Sequence, residues 1–264
     1  MTDTLHRILP QVQKPARYVG GEYNQIVKDE KDVDVRVAFC FPDTYEIGMS
    51  NIGMRILYGL MNEMPGVWCE RVFAPWGDME EQMRAHAIPL YALESHDPVK
   101  AFDLIAFTIG YEMSYTNILN MLELSCVPLL SRERKGLENI VFAGGVCAVN
   151  PEPLADFIDF FSLGEGEEIT KEIIDCYRQA KKDGCTKQEF LLRVSKIDGV
   201  YVPSFYEHTY NEDGTLAAIT PKNGAPARVR KRIVQDMDSA YFPTKTIVPS
   251  TEIVHDRTNL EIFR

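Results

Sequence analysis

Hydrophobic and polar positions change their period along the first part of the chain, which predicts a strand, a loop and a helix in succession. Val35–Phe41 is almost continuously apolar, as in a strand buried on both faces of a parallel sheet. Residues 42–46 break this run with a proline and polar side chains. Between residues 47 and 64 apolar side chains recur at helical spacing, which predicts a helix that covers one face of the sheet.

Further short apolar runs predict more strands, and helical patterns follow most of them. Strands are expected at Val67–Phe73 and at residues 104–109, 140–143 and 157–163, with 89–93 as a short strand or an extended connection. Helices are expected at residues 77–87, from about Ser114 as an N-cap, at 167–182, and after a capping box at Thr186 and Glu189. The alternation predicts an α/β fold with a doubly wound, mostly parallel sheet of five strands. The flavodoxin-like (Rossmann-like) order 2-1-3-4-5 suits it, although the pattern does not determine strand order.

The pattern of the sequence divides the chain into three parts. Residues 1–34 have no sustained period and read as an N-terminal arm that lies over the domain without joining its core. Residues 35–198 form the α/β domain. Residues 199–264 form a β-rich extension with a predicted hairpin of strands 200–206 and 215–220. Residues 259–264 read as a further strand, so we expect the natural protein to continue into another domain.

Length, charge and hydropathy exclude several classes of protein. The chain has 264 residues, of which 45% are hydrophobic, enough for a substantial core. A net charge of −11 argues against a fragment that wraps nucleic acid by itself. No apolar run reaches the roughly 20 residues of a membrane span, and no signal peptide opens the chain. We therefore expect a cytoplasmic protein with no membrane partner.

Polar or glycine-rich loops follow four of the predicted strands, and parallel strands release such loops at one edge of the sheet. Glycine allows a ligand to approach the backbone, although ordinary turns also use it. The candidate binding residues are Asp43, Tyr45, Glu46, Gly48, Met49, Ser50, Thr108, Gly110, Tyr111, Glu112, Ser114, Gly144, Gly145, Gly164, Glu165, Gly166 and Glu167. No Walker loop or Gly-x-Gly-x-x-Gly motif follows the first strand, which disfavours nucleoside triphosphates and dinucleotides. An alternative pairs Glu46 with Glu112 as facing carboxylates.

Two groups of motifs resemble a known family. Gly144 and Gly145, followed by residues 150–154 and 159–167, resemble the cobalamin-binding-like N-terminal domains of radical S-adenosylmethionine (radical SAM) proteins. Residues 43–53 and 111–119 resemble an uncharacterised subgroup in which a radical SAM domain follows directly. The resemblance covers residues 34–264. It implies a partner domain downstream in the same protein, where a Cys-x3-Cys-x2-Cys motif holds a [4Fe–4S] cluster and S-adenosylmethionine is cleaved.

The resemblance also implies that the candidate residues bind cobalamin, with one departure. Methionine-synthase-type cobalamin domains use Asp-x-His-x-x-Gly after the first strand, and the imidazole binds cobalt. This chain has Asp43-x-Tyr45-x-x-Gly48. A phenol with a pKa of about 10 is a poor cobalt ligand beside an imidazole, so ligation through this motif is excluded. The implied role is a cofactor-binding domain without a catalytic or metal-ligating residue of its own, and methyl transfer is the implied reaction of the whole protein.

Two alternatives to cobalamin binding stay open. In the first alternative, the domain is an interaction module without a cofactor, and the basic residues Arg228, Arg230, Lys231 and Arg232 orient a macromolecular substrate such as RNA. A flavin-binding protein is the weaker alternative, because no Ser/Thr-rich phosphate loop follows the first strand.

Overall fold

The computed structural model describes residues 2–255 and 257. Its main sheet has six strands in the order β2-β1-β3-β4-β5-β6, and the first five are parallel. The strands are β1 (Val35–Phe41), β2 (Val67–Phe73), β3 (Leu104–Thr108), β4 (Ile140–Gly144), β5 (Phe160–Ser162) and β6 (Val200–Tyr201). The predicted flavodoxin-like α/β fold and the order 2-1-3-4-5 are confirmed. The predicted count of five strands is wrong, because β6 pairs antiparallel with β5.

Helices flank the sheet, and the longer ones pack in pairs. They are α1 (Thr2–Ile8), α2 (Tyr45–Gly48), α3 (Ile52–Glu63), α4 (Gly77–Ala85), α5 (Tyr115–Leu124), α6 (Gly166–Lys182) and α7 (Lys187–Val194). Helix α3 contacts α6, whereas Arg84 of α4 donates hydrogen bonds to Asn120 and Glu123 of α5. This pairing is typical of a doubly wound sheet with helices on both faces. The capping box of Thr186 and Glu189 at α7 is confirmed.

Two predicted helix starts differ from the structure. The helix expected from residue 47 is interrupted, because Asn51 acts as the N-cap of α3 and accepts a hydrogen bond from the Met54 amide at 2.9 Å. Ser114 precedes α5 as predicted, but its hydroxyl donates to the Tyr111 carbonyl at 2.8 Å and makes no cap bond. Local side-chain bonding therefore separates the loop after β1 from α3.

The N-terminal arm is more closely joined to the domain than predicted. Leu5, Ile8 and Val12 belong to the same core cluster as the strands, which corrects the expectation that the arm stays outside the core. Glu22 binds the buried guanidinium of Arg71 through both carboxylate oxygens, at 2.9 and 2.8 Å. The arm is thus held by apolar burial and by a buried ion pair.

The C-terminal extension contains the predicted hairpin in a shifted position. Its strands are β7 (Tyr206–Tyr210) and β8 (Leu216–Pro221), whereas the first two residues of the predicted strand 200–206 join the main sheet as β6. Farther on, Arg232 forms a parallel bridge with Gly164 at the end of β5. The strand predicted at 259–264 lies outside the described residues. Within residues 2–255 and 257, no helix combines the length and the apolar character needed to span a membrane.

Candidate functional site

A cavity of about 540 Å³ opens at the carboxyl edge of the parallel strands, between the sheet, α3 and α6. Its floor includes Phe39, Ala106 and Phe142 from three neighbouring strands. Eight of the predicted site residues line it, namely Thr108, Gly110, Gly144, Gly145, Gly164, Glu165, Gly166 and Glu167. The lining is mostly apolar with a few polar groups, which is typical of small-molecule sites.

A larger cavity elsewhere is a weaker candidate, because its polar groups already bind one another. It measures about 700 Å³ and includes Arg134, Asp159 and Lys187. The Asp159 carboxylate is buried and binds Lys187 at 2.6 Å and Arg134 at 3.1 Å. A buried carboxylate with two cationic partners serves the structure and leaves little bonding capacity for a ligand.

Three hydroxyl side chains and one glycine form a polar slot in the 540 Å³ cavity, which we define as Thr108, Gly144, Ser162 and Thr170. Thr108 pairs with Gly144 in the sheet register, and a Cβ added to Gly144 would lie 3.7 Å from the Ser162 Cβ. Ser162 and Thr170 are each 7% exposed. Within the described residues, none of the three hydroxyls takes part in a hydrogen bond. Because these unbonded hydroxyls are open to the cavity, they can form hydrogen bonds with a polar atom of a ligand there.

The positions of the site that have glycine differ in the physical reason for it. Gly145 has a φ of +101°, and an added Cβ would lie 2.6 Å from the Ile109 carbonyl oxygen. Gly164 has a φ of +102°, and its Cβ would lie 2.1 Å from the Arg232 carbonyl oxygen. These two glycines admit the protein's own backbone, which differs from the predicted approach of a ligand. By contrast, a Cβ on Gly144 would come no closer than 3.4 Å to its neighbours, and Gly110 faces open space.

The cavity lies within the part of the chain that matches a known family. Residues 53–203 match the family described as radical SAM proteins, N-terminal. The chain belongs to this radical SAM N-terminal family. All four residues of the polar slot lie in the matched region, whereas the loop after β1 precedes it.

One curated relative extends the comparison. An uncharacterised protein of Methanocaldococcus jannaschii is 27% identical over 221 residues, which cover 79% of this chain and 42% of that protein. The chain therefore spans less than half the length of the relative that it matches. No solved structure matches the chain.

The loop after β1 differs from the loops after β3, β4 and β5, because its residues Tyr45 and Glu46 do not line the cavity. Tyr45 stands where the cobalamin motif has histidine, and it is 1% exposed. Its hydroxyl donates to Glu22 at 2.9 Å, and its ring packs edge-on against Phe73. Burial raises the pKa of Tyr45, and the Glu22 carboxylate raises it further. Tyr45 is therefore enclosed under the N-terminal arm and does not line the cavity.

Glu46 is likewise committed to the N-terminal arm. It binds Arg17 at 2.7 Å and Lys14 at 3.1 Å and is buried. Burial alone would raise the pKa of Glu46, but the hydrogen bonds from Arg17 and Lys14 outweigh it and hold the pKa below its ordinary value. Glu112 follows β3 and is exposed, and it makes no contact with Glu46 among the described ion pairs and hydrogen bonds. The proposed pairing of Glu46 with Glu112 is therefore replaced by ion pairs with the arm.

The remaining predicted residues lie in the loops after β1 and β3. Tyr111 donates a hydrogen bond to Asp43 at 2.8 Å and so joins the loops after β1 and β3. Gly48 packs under Phe73, since an added Cβ would lie 2.3 Å from that ring. Met49 contacts Arg71 through its sulfur at 3.3 Å, and Ser50 donates to the Glu46 carbonyl at 2.6 Å. The structure thus gathers eight of the seventeen candidates in the cavity.

Several cavity residues were missed from the sequence. The main ones are Asn51, Ile56, Leu57, Val146, Ser162, Thr170 and Lys231. Ser162 could have been found from the period of two, because Phe142 pairs with Phe160 and the next side chains on that face are at 144 and 162. No comparable signal exists for Lys231, which reaches the cavity from the C-terminal extension.

The cavity provides no imidazole or metal centre. The five histidines, His6, His86, His96, His208 and His255, are all absent from its lining. Among residues 2–255 and 257, no group of three or more His, Cys, Asp or Glu side chains could hold a metal ion. The cavity has an apolar floor, unpaired hydroxyls and the exposed side chains of Val146 and Val149.

Proposed function

We propose that this chain is a cobalamin-binding N-terminal region of a radical SAM protein, with the nucleotide part of the cofactor in the 540 Å³ cavity. Membership of the family supports the radical SAM context. The observation that carries the proposal is the polar slot, where unbonded and largely buried hydroxyls stand beside a glycine in an apolar cavity. A flat aromatic base with one accepting nitrogen suits this surface, because the ring contacts apolar groups and a hydroxyl donates to the nitrogen.

The size of the cavity supports placing only part of the cofactor inside it. A corrin ring with its amide side chains is much larger than the cavity, so it would rest outside on the rim. We define the rim as Val146 and Val149, which line the cavity and are 74% and 67% exposed, together with Tyr111 and Met113, which are 43% and 81% exposed and follow the cavity residue Gly110. Exposed apolar side chains clustered at a cleft are typical of binding surfaces. The rim would then face the proposed downstream domain, to which the iron–sulfur cluster and S-adenosylmethionine belong.

The chain's own residues would bind and orient the cofactor without ligating its metal. Because Tyr45 is enclosed, the position where the cobalamin motif has histidine offers no side chain to cobalt. A bound cobalamin would supply the methyl-transfer chemistry that the resemblance implies. The protein's contribution is to hold the nucleotide base in the polar slot and to exclude water from the apolar floor.

The test is direct binding of hydroxocobalamin. We expect the protein to retain the colour after desalting and to show saturable binding by calorimetry. Gly144→Ala should weaken binding at least tenfold, because its methyl group fills the slot although the fold accommodates it at 3.4 Å. Gly77→Ala is the matched control, because nothing lies within 4 Å of its added Cβ and it lies outside the cavity. A colourless protein without a calorimetric signal would overturn the proposal.

The interaction-module alternative loses part of its basis in the structure. Of the four basic residues, Arg232 is bound to Glu168 and Glu172 of α6 at 2.9 and 2.6 Å. Arg228 and Arg230 line a separate cavity together with Lys196. The alternative predicts that Arg228 and Arg230 bind RNA.

A further inference from the structure

A short segment of the C-terminal extension closes one side of the cavity, and we define residues 231–234 as the strap. The Arg232 amide donates to the Leu163 carbonyl at 2.7 Å, and the Glu165 amide donates to the Arg232 carbonyl at 3.0 Å. These two bonds form a parallel bridge at Gly164, directly after β5. The strap therefore lies along residues 163–165, and its first residue, Lys231, lines the cavity together with Gly164 and Glu165.

Side chains hold the strap in one position on α6. Arg232 donates to Glu168 at 3.0 Å and to Glu172 at 2.6 Å. The Val234 amide donates to the Glu165 carboxylate, and Val234 is buried. Backbone hydrogen bonds on both sides of Gly164 and the side chain of Arg232 thus hold the strap in place. The strap therefore supports its first residue rigidly. That residue is Lys231.

Lys231 places a positive charge at the cavity. Among the described residues that line the cavity, it is the only lysine or arginine. Within residues 2–255 and 257 the Lys231 ammonium forms no ion pair or hydrogen bond. A lysine fixed by its backbone, but without a carboxylate partner, can bind an anion without first breaking another contact.

Two further features on the same side of the cavity favour a negative charge. Helix α6, which has 17 residues, begins here at Gly166, and its N-cap Glu165 makes no side-chain cap bond to it. The positive end of a helix dipole attracts an anion. The largely buried hydroxyls of Ser162 and Thr170 have hydrogen-bonding capacity to spare, which points independently to a ligand with polar atoms.

The charge of that anion is limited by its neighbours. Glu165 and Glu167 also line the cavity, and their carboxylates oppose a doubly charged group. A phosphate monoester carries nearly two charges near pH 7, whereas a phosphodiester carries one. Lys231 can offset one negative charge, so a singly charged group meets less repulsion from these carboxylates than a doubly charged one.

We infer that Lys231 binds the phosphodiester of a ligand whose nucleotide base fills the cavity, and that it makes the site selective for the complete nucleotide. The inference rests on the proposed function, because cobalamin joins its base to the corrin through such a phosphodiester. Lys231 is a binding and specificity residue and takes no part in bond making. A ligand with the corrin ring but without the nucleotide would gain nothing from it.

The experiment compares cobalamin with cobinamide, which keeps the corrin ring and lacks the nucleotide and its phosphodiester. Calorimetric titrations use the full chain and its Lys231→Met, Lys231→Arg and Lys171→Met variants. We expect the unaltered chain to prefer cobalamin at least tenfold, and Lys231→Met to weaken cobalamin binding about tenfold and reduce its salt dependence. Lys231→Arg should restore most of the affinity, and cobinamide binding should not change. Lys171→Met removes an exposed charge on α6 outside the cavity and should have no effect.

The outcomes separate this inference from the proposed function. If cobalamin binds and Lys231→Met binds it equally well, the inference is overturned while cobalamin binding stands. If Lys171→Met weakens binding as much as Lys231→Met, general electrostatics explains the effect and the inference also fails. If cobalamin does not bind the unaltered chain, both are overturned. Thermal unfolding of each variant confirms that an exposed substitution has left the fold intact.

Discussion

Glu22→Gln tests whether the N-terminal arm is held by its buried ion pair. In the folded chain the Glu22 carboxylate binds Arg71 at 2.9 and 2.8 Å and accepts a hydrogen bond from Tyr45 at 2.9 Å. Arg71 is 1% exposed and is also bound to Glu94 at 2.6 Å. Glutamine keeps the shape of the side chain but removes its charge and turns an amide donor toward one of its partners.

The magnitude follows from the burial of the pair. Removing one partner of a buried ion pair costs about 3–5 kcal/mol, and Glu94 still balances the charge of Arg71, so we expect the lower end, about 3 kcal/mol. For a chain of 264 residues this lowers the melting temperature by about 6 °C. Thermal and urea unfolding measure the difference. Glu30→Gln is the control, since this exposed carboxylate of the same arm lies 3.6 Å from Arg36 and should contribute less than about 0.5 kcal/mol.

The pH dependence gives the same prediction a second readout. Burial alone would raise the pKa of Glu22, but the Arg71 guanidinium outweighs it and holds the pKa below its ordinary value. A lowered folded pKa means that the carboxylate stabilises the fold above the unfolded pKa of about 4.3 and loses that effect as the pH falls through the folded pKa. The stability gap between the unaltered chain and Glu22→Gln should therefore be full near pH 7 and narrow below about pH 4. Equal melting temperatures, or a gap that acid leaves unchanged, would refute this account of the arm.

Three further outcomes follow from the site. Tyr45→His should destabilise the fold, because position 45 is enclosed beside Glu22. For the same reason the visible spectrum of bound cobalamin should show no imidazole ligation, and an imidazole-ligated spectrum would contradict this. Gly145→Ala should lower the free energy of unfolding by about 2 kcal/mol, because Gly145 has a φ of +101° and an added Cβ would lie 2.6 Å from a carbonyl oxygen. Gly144→Ala should change the free energy of unfolding by less than about 1 kcal/mol in the same urea titration. We expect no RNA retention in filter binding at about 0.15 M salt, because Arg232 is bound to α6 and the net charge is −11; salt-dependent retention that Arg228→Gln and Arg230→Gln abolish would favour the interaction-module alternative.

Local pattern was sufficient wherever neighbouring residues alone decide the structure. The bounds of β1 follow from an almost continuous apolar run, because a strand in a parallel sheet is buried on both faces. The strand β2 has the predicted bounds although Glu70 and Arg71 interrupt its apolar run. The start of α7 follows from Thr186 and Glu189, whose reciprocal bonds form within one turn. The alternation of strands and helices predicts a mostly parallel sheet, since parallel strands need crossover connections, but it does not determine the strand order.

Contacts distant in the chain decided the shape of the candidate site. Tyr45 and Glu46 carry the polar character of a binding loop, yet their partners in the arm, Glu22 and Arg17, draw them away from the cavity. Gly164 reads as a ligand loop, yet it admits the backbone of Arg232. Neither partner is visible from the local pattern, because such contacts depend on how the arm and the extension fold over the domain.

The sequence by itself determined the class of fold, most strand positions and the edge of the sheet at which a ligand would bind, because periodicity and turn chemistry act within a few residues. Only the tertiary structure decided which loops line the cavity, which hydroxyls are left without partners and which lysine stands at its side. The physical reason is that burial and hydrogen bonding depend on every atom nearby, and in this chain the decisive neighbours of the site come from segments far apart in sequence.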